Sequence, residues 1–112
     1  MMEITIAETG GVRFADVSGR IDSTTAPEAE TILRSFAAEQ EGDVIVNCAD
    51  LDYISSGGLR ILLIIEKELK GSGRHVILCG LRTDVEKIFR LTGFTSIFAI
   101  EKTVTDAVAH HR

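Results

Sequence analysis

LDYISSGGLRILL, residues 51–63, is the stretch on which the reading of this chain turns. An apolar approach through Leu51 and Ile54 runs into Ser55, Ser56, Gly57 and Gly58, and an apolar run with helical spacing follows at once. This predicts a strand, a short loop and a buried helix, with two hydroxyls at the helix start on a backbone that carries almost no side chains. Such a spot suits a hydroxyl that receives a phosphoryl group, because the positive end of the helix dipole faces it. It is a poor setting for a catalytic acid, base or metal.

Working outward, residues 43–48 (DVIVNC) read as a strand covered on both faces, with 51–58 as the loop after it. Helix 2 is expected from about Gly57 to Lys70, apolar nearly all round over 59–65, with Gly71 and Gly73 ending it. Upstream, residues 3–8 (EITIAE) and 12–18 (VRFADVS) alternate around Gly10-Gly11, the pattern of an antiparallel hairpin. The segment GRIDS, 19–23, leads out of it. Helix 1 opens with Thr25 and Glu28 as a capping box and Pro27 in the first turn, and it ends near Gln40 before Gly42. Downstream, residues 75–80 (HVILCG) repeat the buried-strand pattern. Helix 3 starts near Thr83 with Glu86 as a second capping box and stops at Gly93. A short strand at 97–100 and a last helix over 103–110 complete the chain.

Strands alternating with helices predict a single α/β domain over residues 1–112, with parallel crossovers in a mixed sheet. A length of 112 residues fits one domain, and 45% hydrophobic residues supply its core. Twelve Lys and Arg against 17 Asp and Glu give a net charge of −5, which argues against nucleic acid or an anionic membrane as the main partner. No apolar run reaches the roughly 18 residues of a membrane span. The start MMEITIAE has no basic region followed by an apolar one, so no secretory signal and a cytoplasmic location are expected. Cys48 and Cys79, without CxxC spacing, are expected as reduced, buried small hydrophobes.

Of Ser55 and Ser56, one is expected to cap helix 2, which leaves the other without that role. Gly57 and Gly58 would let another protein's backbone approach closely. Asp22 is either a turn residue or a polar contact on the same rim, since strand ends and helix starts gather at one edge of such sheets. A serine nucleophile would need a positioned base, and neither GxSxG nor a suitably placed histidine is present. GxGxxG and GxxxxGK[ST] are also missing, and Gly71-Ser72-Gly73 follows a helix instead of opening one. His110-His111 is read as a solvated tail. No catalytic residue, cofactor or metal site is expected.

The chain resembles the STAS domain, specifically the small stand-alone anti-sigma factor antagonists of bacteria. The resemblance is carried by GRID at 19–22, TTAPEAE at 24–30, VIVNCADLDYISSGGLRIL at 44–62 and EKIFRLTGFTSIFAI at 86–100. It implies a STAS-like fold with a mixed sheet of four to five strands and about four helices. The family's central motif reads Asp-Ser-(Ser/Thr/Ala)-Gly-Leu, with the serine after the Asp phosphorylated by a partner kinase that is also the anti-sigma factor. Carried over, the acceptor falls on Ser56, the glycine on Gly58 and the leucine on Leu59, with Gly57 at the variable position. Ser55 stands where the family has Asp. The Asp of GRID maps to Asp22, near the partner-contacting surface, so Asp22, Ser23, Thr24, Ser55, Ser56, Gly57, Gly58 and Leu59 are the expected contact set. The implied role is partner switching. Unphosphorylated antagonist binds the ATP-dependent anti-sigma factor kinase, phosphorylated antagonist lets go, and a PP2C-type serine phosphatase resets it. A monomer or weak dimer is expected, with no direct contact to nucleic acid or membrane.

A different class of reading is a constitutive STAS accessory or scaffold subunit of a transporter or signalling complex, in which the loop merely docks. The loss of Asp at position 55 is the feature that favours it. A small enzyme is disfavoured by the missing base.

Overall fold

The computed structural model describes residues 1–111. The elements run β1 (Met2–Thr9), β2 (Val12–Ile21), α1 (Ala26–Ala38), β3 (Val44–Ile54), α2 (Ser56–Lys70), β4 (Val76–Cys79), α3 (Thr83–Leu91), a 3-10 turn (Phe94–Ser96), β5 (Ala99–Glu101) and α4 (Val104–His111). The five strands lie in the order β1-β2-β3-β4-β5. β1 is antiparallel to β2, and all later pairs are parallel.

This order dictates where the helices go. Each parallel connection steps to the adjacent strand in the same direction, and right-handed crossovers then place α1, α2 and α3 on one face. The packing agrees. Leu33 and Phe36 of α1, Leu62 and Ile65 of α2 and Phe89 of α3 share one cluster with Val17, Val46 and Leu78 of the strands. The opposite face is covered by α4, whose Ala107 and Val108 pack on Phe14, Ile45, Ile77 and Cys79. Alternation along β3 and β4 sends Cys48 to the three-helix face and Cys79 to the α4 face, so the free thiols face apart. Burial pushes the Cys48 thiol far up and that of Cys79 up to about 12, which leaves both un-ionised and poorly reactive.

Two strands run further than the sequence pattern indicates. β2 continues through Gly19 and Arg20 to Ile21, and β3 through Leu51 and Asp52 to Ile54. Their extensions pair with each other, Gly19 with Leu51 and Ile21 with Ile54, which supplies the hydrogen bonds that a loop would lack. Gly19 sits at φ +87°, and a Cβ there would lie 2.1 Å from the Met1 carbonyl oxygen.

The capping boxes at both predicted helix starts are not formed. Thr25 occupies the N-cap of α1 without a capping bond. Its hydroxyl donates instead to the Arg20 carbonyl (2.8 Å) and accepts from the Asp22 N–H (2.9 Å). Arg82 holds the N-cap of α3, and Thr83 is already helical, one position too late to cap. The C-terminal histidines are no loose tail. His110 Nδ1 lies 2.9 Å and His111 Nε2 3.0 Å from the two oxygens of Glu101, anchoring α4 to β5.

Candidate functional site

The site is the C-terminal rim of the parallel strands, where β2 turns into α1 and β3 into α2. The two turns are tied together by the Ser55 N–H, which donates to the Ile21 carbonyl at 2.8 Å. Asp22, the next residue, therefore sits beside the Ser55-Ser56 turn.

Ser55 is the N-cap of α2. Its backbone is extended (φ −87°, ψ 174°), and its Oγ accepts from the Gly58 N–H at 3.2 Å. The Leu59 N–H donates to the Ser55 carbonyl at 2.9 Å, the first bond of the helix. Ser56 is the first helical residue and is exposed. Of the two hydroxyls, one is spent on the cap and the other stands in solvent.

The glycines divide in the same way. At Gly57 a Cβ would meet only Ser55 Oγ at 3.6 Å, so the surface there is open. At Gly58 it would lie 2.6 Å from Ile54 Cγ1 and 2.8 Å from Ile21 Cγ2. Gly58 is bare so that α2 can close on its own two strands, not so that a partner can approach. Leu59 is 4% exposed and belongs to the core. Both were expected among the contacts, but neither presents a side chain to the rim, and they act by fixing where Ser56 stands.

Asp22 is half-buried and held locally. One carboxylate oxygen accepts from the Thr24 N–H (2.9 Å) and the Thr25 N–H (3.1 Å), and the Asp22 carbonyl accepts from the Ala26 N–H (2.8 Å). It performs, one turn early, the capping that Thr25 does not. The Thr25 N–H, more than any other neighbour, holds the Asp22 carboxyl below its ordinary value. Ser23 and Thr24 are exposed on the same turn.

Three further features of the rim were not read from the sequence. The Arg20 guanidinium lies 4.4 Å from the centroid of the Tyr53 ring, a stacking made by the parallel register of β2 and β3. Arg82 donates to Asp52 at 2.7 Å and to the Ala49 carbonyl at 3.0 Å. Arg60 is exposed four residues after Ser56, hence on the same face of α2. Only this last one had a sequence signal, its helical spacing.

No histidine serves the serines. His75 precedes β4, at the opposite end of the sheet from Ser56, and its ring lies 2.9 Å from the buried Glu66. Among the described residues no cluster of His, Cys, Asp and Glu could hold a metal ion. No helix among them is long and apolar enough to cross a membrane.

Comparison with known proteins places this rim in context. The STAS domain model matches residues 3–107. A protein of Bordetella bronchiseptica, named as a candidate anti-sigma factor antagonist, BtrV, is 32% identical over 108 residues, covering 96% of this chain and 93% of its own. The crystal structure of an anti-sigma factor antagonist from Mycobacterium paratuberculosis superposes with a TM-score of 0.88 at 24% identity, covering 98% of this chain and 93% of that one. The Bacillus protein SpoIIAA, at 17% identity, has been solved in its phosphorylated form and superposes with a TM-score of 0.70 over 96% of this chain and 98% of its own. The chain belongs to the STAS domain family and is similar, over nearly its whole length, to the family's anti-sigma factor antagonists.

Proposed function

We propose that this protein is an anti-sigma factor antagonist whose binding is switched by phosphorylation of Ser56. The observation that carries the reading is the division of labour at the start of α2, where Ser55 caps and the Ser56 hydroxyl is exposed and uncommitted. A phosphate on Ser56 would face the free N–H groups of the first turn and Arg60 one turn on, so this fold tolerates it. The added charge, roughly −2 at neutral pH, then acts on the partner.

The partner in this reading is a serine kinase that is also the anti-sigma factor. It engages the unphosphorylated rim of Asp22, Ser23, Thr24, Ser55, Ser56 and Gly57 and leaves once Ser56 is modified. A PP2C-type phosphatase restores the binding form. The module needs no chemistry of its own, and its two free thiols fit a reducing cytoplasm. The relatives named above support the antagonist role, and SpoIIAA shows that the fold has been seen carrying phosphate.

The test is intact mass and peptide mapping of the protein from its native cells, with and without PP2C-type phosphatase. The expected result is one phosphate on Ser56 that the enzyme removes. A phosphate on Ser55 alone would move the acceptor to the capping hydroxyl. No phosphate under any growth condition would favour the second reading, a constitutive docking subunit. Ser55 at the position of the family's Asp is the observation on that side.

A further inference from the structure

β1 is the outer strand of the sheet, and among the described residues nothing pairs with its far side. Sheet edges are ordinarily blunted by Lys, Pro, bulges or inward charges. β1 has no Lys and no Pro, and its register with β2 is unbroken from Met2 to Thr9. The opposite edge strand, β5, has only three residues.

The hairpin turn fixes which backbone groups of β1 face outward. Gly10 and Gly11 have φ of +58° and +79°, a type I′ turn, which makes Thr9 and Val12 a hydrogen-bonded pair. Counting back in twos, Ala7, Thr5 and Glu3 also bond to β2. The Arg20 N–H on the Met1 carbonyl (2.9 Å) continues that odd-numbered series. Met2, Ile4, Ile6 and Glu8 therefore aim their N–H and C=O groups away from the sheet. The side chains of Ile4 and Ile6 stand over Val17 and Ala15 on the three-helix face, and Ile6 is 38% exposed.

We propose that this edge pairs antiparallel with β1 of a second copy, about a two-fold axis through Thr5, to give one continuous sheet across a homodimer. In that register Ile4 lies opposite the partner's Ile6, and Met2 opposite the partner's Glu8. Every outward N–H and C=O of the four even-numbered residues finds a partner, which no other even register achieves. Charge is sorted by the same register. Glu3 falls opposite Ala7 and Glu8 opposite Met2, whereas a shift by one residue would set Glu3 against Glu8 and misalign the hydrogen bonds. The two Ile pairs cover the exposed side of Ile6. Because β2 to β5 then run oppositely in the two copies, the two Ser56 rims point away from each other and each stays open.

The test is sedimentation of the whole chain with four variants. The wild type should reach dimer mass as concentration rises. Ile6→Lys and Ile6→Pro should stay monomeric with an unchanged far-UV circular dichroism spectrum, since Ile6 is partly exposed and its N–H is unused within the monomer. Thr5→Cys should form a disulfide-linked dimer on mild oxidation, because the axis brings the two Thr5 Cα atoms to about 4.5 Å, while Thr9→Cys should not. A wild type that is monomeric up to its solubility limit would overturn the proposal. So would dimers that persist in folded Ile6→Lys, or a Thr5→Cys that fails to cross-link while the wild type dimerises.

Discussion

The N–H of Ser55 donates to the carbonyl of Ile21 at 2.8 Å, and this one bond makes a site out of two loops far apart in sequence. It is the last rung of the β2–β3 ladder and lies immediately before the α2 cap. The Asp22 turn and the Ser56 hydroxyl share a rim because both strands extend to that rung. Ser55 is thus bound twice, by its backbone to β2 and by its side chain to α2, and Ser56 is left free.

The two serines should separate cleanly in stability. Ser55→Ala removes the cap and should cost about 1 kcal/mol. Ser56→Ala and Ser56→Asp should each stay within about 0.5 kcal/mol, since the side chain is exposed and an acid at the helix start is favourable. Urea denaturation of the unphosphorylated proteins checks this. A Ser56→Asp variant that unfolds would mean that the hydroxyl is buried, and the switch would go with it.

The neighbouring glycines should respond in opposite directions. Gly57→Ala has open space and a helical backbone, and it should stabilise by about 0.4 to 1 kcal/mol. Gly58→Ala drives a methyl group into Ile54 and Ile21 and should destabilise by about 1 to 3 kcal/mol. Thermal melts of the pair read both signs. Equal effects would show that α2 does not sit on the strand ends as described.

Helix 2 is less uniformly buried than its apolar run predicts. Leu62 is 3% exposed, and Leu62→Ala should cost about 2 to 5 kcal/mol. Ile64 faces partly outward, so Ile64→Ala should cost clearly less. Chemical denaturation midpoints of the two variants should fall in that order.

Acid should loosen the α4 anchor. The His111 contact, then that of His110, holds the Glu101 carboxyl below its ordinary value of 4.5. A carboxylate with a lowered folded pKa adds stability that is fully present above its unfolded value and lost as pH falls through the folded one. Melting temperature should therefore decline as pH drops below about 5, and Glu101→Gln should flatten part of that decline. Asp22, lowered from 3.8 chiefly by the Thr25 N–H, adds a second contribution of the same sign at lower pH. An unaltered acid slope in Glu101→Gln would show that the clamp carries no weight in solution.

The sequence by itself determined the alternation of strands and helices, and the serine pair at the start of a helix. These are local matters. Period-two and period-3.6 apolar patterns in 12–18, 29–37 and 85–91 are written in neighbouring residues, and so are the glycines that interrupt them. Tertiary structure decided what depends on partners distant in the chain. Val46 and Ile54 lie in one strand only because β2 extends alongside both, and Thr25 gives up its cap because the Arg20 carbonyl and Asp22 N–H lie closer to hand. Glu101 receives His110 and His111 only once α4 folds back over the sheet. Which serine caps, and which glycine is packed against Ile21 and Ile54, are settled by how α2 lands on the strand ends. Spacing alone does not carry that information, because it is set by the register of two strands more than thirty residues apart in the chain.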